Sequence, residues 1–106
     1  MEANKPVVWA PKALRQLWAL EEYIAQDKPI AAQRFTDSVF EFVEGLSVSH
    51  SSHEKCRFPK LRAAEYYCLP FRKEYIIIYC VSNVVEVVAI MHARRSPQAF
   101  DDLLGG

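Results

Sequence analysis

The sequence predicts an α+β fold, a two-helix hairpin packed on a small antiparallel sheet, in the order β-α-α-β-β-β with a short C-terminal helix. Three observations carry this expectation. Apolar residues recur with a 3.6-residue period over two stretches of the first half, each opened by a proline. The stretch 74–82 (EYIIIYCVS) is apolar on both faces, as a central strand covered on two sides should be. Ser82-Asn83 then separates it from a second apolar run, 84–91 (VVEVVAIM), in the manner of a hairpin turn.

The elements follow in order. A short first strand is expected over 5–9, bounded by Pro6 and Pro11. Pro11 suits the first turn of a helix, where its missing N–H costs nothing, and Leu14, Leu17, Trp18, Ile24 and Ala25 then fall on one face. A break at Gln26-Asp27-Lys28 precedes Pro29, which restarts a helix with Ala32, Phe35, Val39, Phe42, Val43 and Leu46 inward and Gly45 as its stop. The serine-rich segment 47–53 reads as a surface loop. Phe58-Pro59 interrupts the chain after it, so the next strand is expected from Leu61 or Arg62 to about Leu69, with 70–73 (PFRK) as the turn. The fourth strand ends at His92. Ser96-Pro97 can start a last helix over 98–104, with Phe100, Leu103 and Leu104 as its apolar side.

With 106 residues, 51% of them hydrophobic and 25% charged, the whole chain, 1–106, is expected to form a single globular domain with one core. Its N-terminus lacks the apolar core of a signal peptide, so the expected location is cytoplasmic. The odd cysteine count (Cys56, Cys68, Cys80), with no CxxC pair, then argues for reduced thiols, and their even spacing reads as chance.

A net charge of zero conceals a segregation. Between 21 and 44, six acids stand against Lys28 and Arg34. Between 54 and 73, Lys55, Arg57, Lys60, Arg62, Arg72 and Lys73 stand against Glu54 and Glu65. A dedicated nucleic-acid binder usually carries a basic excess overall, because neutralising phosphates supplies most of its affinity. This chain has none.

The last strand runs directly into His92-Ala93-Arg94-Arg95, so an apolar sheet ends in a titratable ring and two guanidiniums. Packing fixes the direction of residues at such a strand end, as a binding site requires. Lys60, Arg62, His92, Arg94 and Arg95 are therefore the expected target-binding set. Plainer roles exist for each. His92 can hydrogen-bond a backbone carbonyl, Arg94 and Arg95 can pair with Asp101 and Asp102, and Arg62 can pair with Glu65 or Glu86. Lysine and arginine on a sheet edge also block aggregation. Tyr23 and Phe40 lie off the apolar stripes of their helices and are expected to be exposed, forming a partner surface or packing on a neighbouring loop. His50, His53 and Cys56 form an H-x-x-H-x-x-C series with Cys68 as a fourth zinc ligand to consider. Nothing in a serine-rich loop fixes that geometry, so no metal and no other cofactor is expected.

Taken in order, the short first strand, the helical hairpin with Pro29-Ile30-Ala31-Ala32, Leu61-Arg62, Tyr75-Ile76-Ile77-Ile78-Tyr79, Val84-Val85-Glu86-Val87-Val88 and His92-Ala93-Arg94-Arg95 resemble the RelE/ParE toxin superfamily, its ParE branch most closely. The likeness spans 6–97. It implies the toxin of a type II toxin–antitoxin pair, held inactive by a cognate protein antitoxin, for which Tyr23 and Phe40 supply a surface.

The resemblance leaves the target open, since ParE-like proteins are associated with poisoning DNA gyrase and RelE-like proteins with cleaving messenger RNA in the ribosome. Metal-free RNA cleavage needs activation of a 2′-hydroxyl, cationic stabilisation of the transition state and a leaving-group acid. Arg62, His92 and Arg95 would be the catalytic set of such a nuclease. A second acid or base is missing, because the last tyrosine is Tyr79 and Phe100 occupies the tail, where the RelE-like pattern ends in tyrosine or histidine-tyrosine. The expectation is therefore non-enzymatic binding of gyrase. A ribosome-dependent endoribonuclease is the alternative, and a module that has lost its activity and only binds its partner is a third reading.

Overall fold

The structure, a computed structural model, describes residues 4–94, so the expected helix at 98–104 lies outside the described residues. Strand β1 (Val7–Trp9) leads into α1 (Pro11–Ala25) and α2 (Pro29–Glu44). Two short helices, α3 (Leu46–Ser49) and α4 (Pro59–Ala63), precede the strands β2 (Tyr67–Phe71), β3 (Tyr75–Val81) and β4 (Val85–His92). Helices α1, α2 and α4 all begin on proline without a side-chain cap. The ring sets φ for the first turn and removes one of the four N–H groups that would otherwise need a partner.

The sheet order is β1-β4-β3-β2. Strands β2, β3 and β4 are antiparallel, while β1 pairs with β4 in parallel, so the sheet is mixed where an antiparallel one was expected. The chain reaches β4 from β1 by way of the whole helical layer, and so long a connection permits a parallel pair as a tight turn cannot. Between β3 and β4 the connection is Ser82, Asn83 and Val84, one residue longer than the expected turn, with Ser82 N–H donating to the Val84 carbonyl at 2.9 Å.

One face of the sheet packs on the hairpin. Ala13 and Leu17 of α1, with Phe35, Val39 and Val43 of α2, close over Leu69, Phe71, Ile77, Tyr79, Val85, Val87 and Ile90. Trp18, expected inward, is 46% exposed. Helix α1 buries a narrow stripe at positions 13 and 17, flanked by Leu20 and Ile24, and leaves Trp18 to tilt against Phe40. Strand β1 covers β4 only as far as Val87. Past that point Ile90 N–H donates to Gln16 Oε1 at 3.0 Å, so a side chain of α1 takes the place of the missing strand.

The other face is covered too. Cys56 and Leu61 pack on Ile78, Ala89 and Met91, which makes β3 and β4 central in depth. This cover replaces the strand expected from Leu61 or Arg62 to Leu69. Pro59 opens α4, Glu65 turns the chain at φ 64°, and β2 starts at Tyr67. Pro70 then lies within β2, tolerated because β2 is an edge strand.

The segment 47–53 also departs from a plain surface loop. Gly45 keeps right-handed helical angles (φ −61°) rather than stopping the chain, and α3 follows at once. His50 is buried with Nδ1 at 3.0 Å from the Leu46 carbonyl, and its own carbonyl accepts the Tyr79 hydroxyl at 2.9 Å.

The thiols are the largest correction. Cys56 and Cys68 form a disulfide, with Cα atoms 4.7 Å apart, and only Cys80 is free. The Lys55–Tyr67 bridge and the Cys56 N–H to Tyr66 carbonyl bond lay the loop along β2 and bring the two side chains together. Paired in this way, neither sulfur is available to a metal. Among the described residues no group of three His, Cys, Asp or Glu side chains could hold one.

Two substitutions test these polar anchors. Tyr79→Phe strands the His50 carbonyl in the core and is expected to cost about 1–2 kcal/mol, and Gln16→Leu, which orphans the Ile90 N–H, about 1–3 kcal/mol. Denaturant unfolding curves should show lowered midpoints with unchanged slopes.

Candidate functional site

Strand β4 does not keep strict alternation. Ile78 pairs with Ala89 but Tyr79 pairs with Val87, so Val88 is an extra residue in a bulge. Val85, Val87 and Ile90 face the helical hairpin, while Val88, Ala89 and Met91 face the α4 side. Without the bulge His92 would fall on the α4 side. With it, His92 lies on the hairpin side opposite Tyr75, its ring edge-on to the Tyr75 ring with centroids 5.5 Å apart.

Beyond His92 the ladder runs one step further, with Ala93 N–H donating to the Glu74 carbonyl at 2.8 Å. Arg94 N–H then donates to His92 Nδ1 at 3.2 Å. The imidazole Nδ1 is therefore the acceptor, which leaves Nε2 to carry the proton of the neutral ring. This bond replaces the bond to a backbone carbonyl considered from the sequence.

The β2–β3 turn closes the same end of the sheet. Arg72 and Lys73 have φ of 51° and 64°, a left-handed conformation that costs a non-glycine residue on the order of 1 kcal/mol. Contacts to β2 and α2 offset it at Arg72, whose guanidinium stands 5.3 Å from the Phe71 ring and 6.0 Å from the Phe35 ring and donates to Ser38 Oγ at 2.9 Å. Burial, then the Glu74 carboxylate, push the Tyr75 phenol above its ordinary value, with Arg72 opposing. Arg72, Lys73, Tyr75, His92 and Arg94 thus share one end of the sheet.

The profile described as "ParE toxin of type II toxin-antitoxin system, parDE" matches residues 7–97. The chain is 31% identical over 93 residues to the putative toxin Y4kP of Sinorhizobium fredii, covering 88% of this chain and 93% of that one. The chain belongs to the ParE toxin family. It is also similar to the toxin RelE2 of Caulobacter vibrioides, 33% identical over 90 residues, 84% of this chain and 96% of that one. Its fold matches a solved structure titled "Chromosomal ParDE TA system from P. aeruginosa" with a TM-score of 0.69 at 16% identity, over 83% of this chain and 95% of that one. The protein is the toxin of a type II toxin–antitoxin system, and the family implies an antitoxin partner.

In this ParE-family toxin the cations expected at one surface separate into two layers. His92 and Arg94 stand at the sheet end, on or beside the hairpin face, whereas Lys60 and Arg62 sit on α4 over the opposite face. Arg95 lies outside the described residues, as do Asp101 and Asp102, its suggested partners. Neither suggested partner takes Arg62. Glu65 pairs with Lys55 at 3.2 Å and Glu86 accepts the Cys80 thiol at 3.8 Å. Tyr23 is 74% exposed as expected, but Phe40 is half-buried between Trp9 and Trp18, with centroids 5.3 and 6.1 Å away. Arg72, Lys73 and Tyr75 were missed as site residues. They read as a turn and as strand filler, and only the pairing across β3 and β4 reveals that they meet His92. No helix among the described residues is long and apolar enough to cross a membrane.

Three acids in the sheet region are held neutral by the fold. Burial, then Glu86, raise the Cys80 thiol above its ordinary 9.0, and burial, then Cys80 and Glu86, raise Tyr66 above 10.0, as burial does Tyr75. The unfolded chain loses these protons first as pH rises, so their contribution to stability is intact below about pH 9 and is lost above it. Chemical unfolding measured at successive pH values should show the decline beginning near pH 9, and Cys80→Ala should move its onset upward.

Proposed function

We propose that this toxin inhibits growth by binding and poisoning DNA gyrase, acting in the cytoplasm as one domain through the cationic sheet end and the basic face of α4. Arg94, Arg95, Lys60, Arg62 and His92 are the contacts assigned to it, with Arg72 and Lys73 added by their place beside His92. The observation that carries the reading is the way the strand end is built. The Arg94 amide engages His92 Nδ1, and the ladder extends to Ala93, so the segment holds a shape and a charge with its base-competent nitrogen already occupied. Such a surface suits complementary contact more than proton transfer. Neutral net charge points the same way. A cognate antitoxin would lie on the acidic helical hairpin beside Tyr23, in the helix-in-groove manner.

One observation favours the ribosome-dependent nuclease. Tyr75, held protonated beside His92, is a second proton carrier of the kind that the sequence lacked in its tail. The two readings differ in what they demand of these rings. A nuclease should lose roughly a hundredfold or more in rate with His92→Gln and fall again with Tyr75→Phe. A gyrase poison should lose about 2 kcal/mol or more of target affinity, roughly thirtyfold, with Arg94→Ala/Arg95→Ala, and respond little to His92→Gln. Supercoiling assays with purified gyrase and translation assays on purified ribosomes, run in parallel, should show gyrase blocked and message intact. Message cleavage with gyrase unaffected would overturn the proposal.

Neutralisation gives a separate test. Expression of the toxin alone should slow growth, and co-expression of the neighbouring small gene should restore it. Tyr23→Ala should weaken antitoxin binding about tenfold or more in calorimetry while leaving the unfolding midpoint unchanged. Normal growth under overexpression of soluble, folded protein would leave only a binding module without toxicity.

A further inference from the structure

The segment that covers the outer face of the sheet is fastened in several ways. Leu61 is its one fully buried apolar side chain besides Cys56, and around them lie the Cys56 N–H to Tyr66 carbonyl bond, the Lys55–Tyr67 bridge and the exposed Lys55–Glu65 ion pair. Exposed ion pairs hold little, and α4 is only five residues long. The covalent tie from Cys56 to Cys68 is the strongest of these fastenings, and it joins the cover directly to β2.

Both cysteines border a cleft. Its volume is about 480 Å³, its wall also holds Phe58, Pro70 and Ile76, and Lys55 and Arg57 flank Cys56 along it. The two cysteines differ in access, since Cys56 is 1% exposed whereas Cys68 is half-buried. An attacking thiolate therefore meets Cys68 before Cys56 and expels the Cys56 sulfur.

We propose that the Cys56–Cys68 disulfide is an exchangeable latch, opened in the folded toxin by small-molecule thiols entering this cleft, and that its opening releases the 54–66 cover from the sheet. In the first step the external thiolate forms a bond to Cys68, the Cys56–Cys68 bond breaks, and the departing Cys56 thiolate takes a proton from water. In the second step another thiolate attacks the external sulfur of the mixed disulfide. Cys68 leaves as a thiol after protonation, and the two small thiols depart as their disulfide, oxidised by the two electrons that the protein has gained. Cys80 stands apart from this exchange with its thiol on the Glu86 carboxylate. In a compartment rich in thiols, disulfides of this kind are transient rather than permanent. The latch does not depend on which target the toxin takes.

The test uses the full chain, folded, with 2-mercaptoethanol as the thiol and iodoacetamide alkylation followed by peptide mass analysis. Before treatment one thiol, Cys80, should be alkylated. After treatment three should be, and brief exposure should trap the mixed disulfide on Cys68. Hydrogen exchange of amides in 54–66 should then accelerate about tenfold or more, with β3, β4, α1 and α2 unchanged. The Cys56→Ser/Cys68→Ser variant should show the same local acceleration without any thiol. Three alkylated thiols before treatment, cleavage only at denaturant concentrations that unfold the chain, an adduct on Cys56, or unchanged exchange in 54–66 after cleavage would each overturn the proposal.

Discussion

Burial of β3 and β4 on both faces is the constraint to which every other element answers. Ile77 faces the helical hairpin and Ile78 faces the opposite layer, and neither exposes measurable surface. Each fully buried side chain of this size is worth about 1.5–3 kcal/mol, but only if something covers it. The hairpin α1–α2 covers one side. On the other side a chain segment too short for a long helix is folded into α4 and a loop, then tied down by a disulfide. The edges are dealt with differently, by a three-residue strand and a glutamine on one side and by a proline-bearing strand on the other.

The cationic surface follows from this layering. Because the sheet stands between them, the α4 cations and the β4 strand end cannot form one compact cluster. They form two charged regions on either side of a rim, a geometry suited to a broad partner more than to a small buried substrate. At the strand end itself the aromatic stack around Arg72 and the ring pair of Tyr75 and His92 bring the hairpin, the turn and the last strand together. The sheet end is therefore stiffened by α2 as well as by the ladder, through Ser38 and Phe35.

Much of this was legible in the residues, and the failures have physical reasons. Hydrophobic period found α1 and α2, and two-sided apolarity found β3 as a central strand. Pro11 and Pro29 were read as helix starts, yet Pro59 was read as a strand breaker, although the same ring at the same position opens α4. Five residues carry too little periodicity to announce a helix. Parallel pairing of β1 was hidden because strand direction depends on the path of the chain, not on local composition. The disulfide was hidden by an argument from compartment, which says nothing of how near two side chains come. At the site, His92 and Arg94 were legible as a motif, whereas Tyr75 required the register, and the register required the bulge.

That bulge gives the fold an unusual freedom. Pairing on the two sides of Val88 is regular, so a one-residue deletion there would close the bulge and leave both the ladder from Val85 to Val87 and the pairs from Ala89 to His92 in phase. His92 would still stand opposite Tyr75, whereas a deletion between Val88 and His92 with the bulge kept would turn it toward α4. A codon lost at the bulge is thus absorbed, while one lost beyond it reverses the face that the strand end presents. Gap-free comparison of this strand end with a relative that lacks the extra residue would align residues that point in opposite directions.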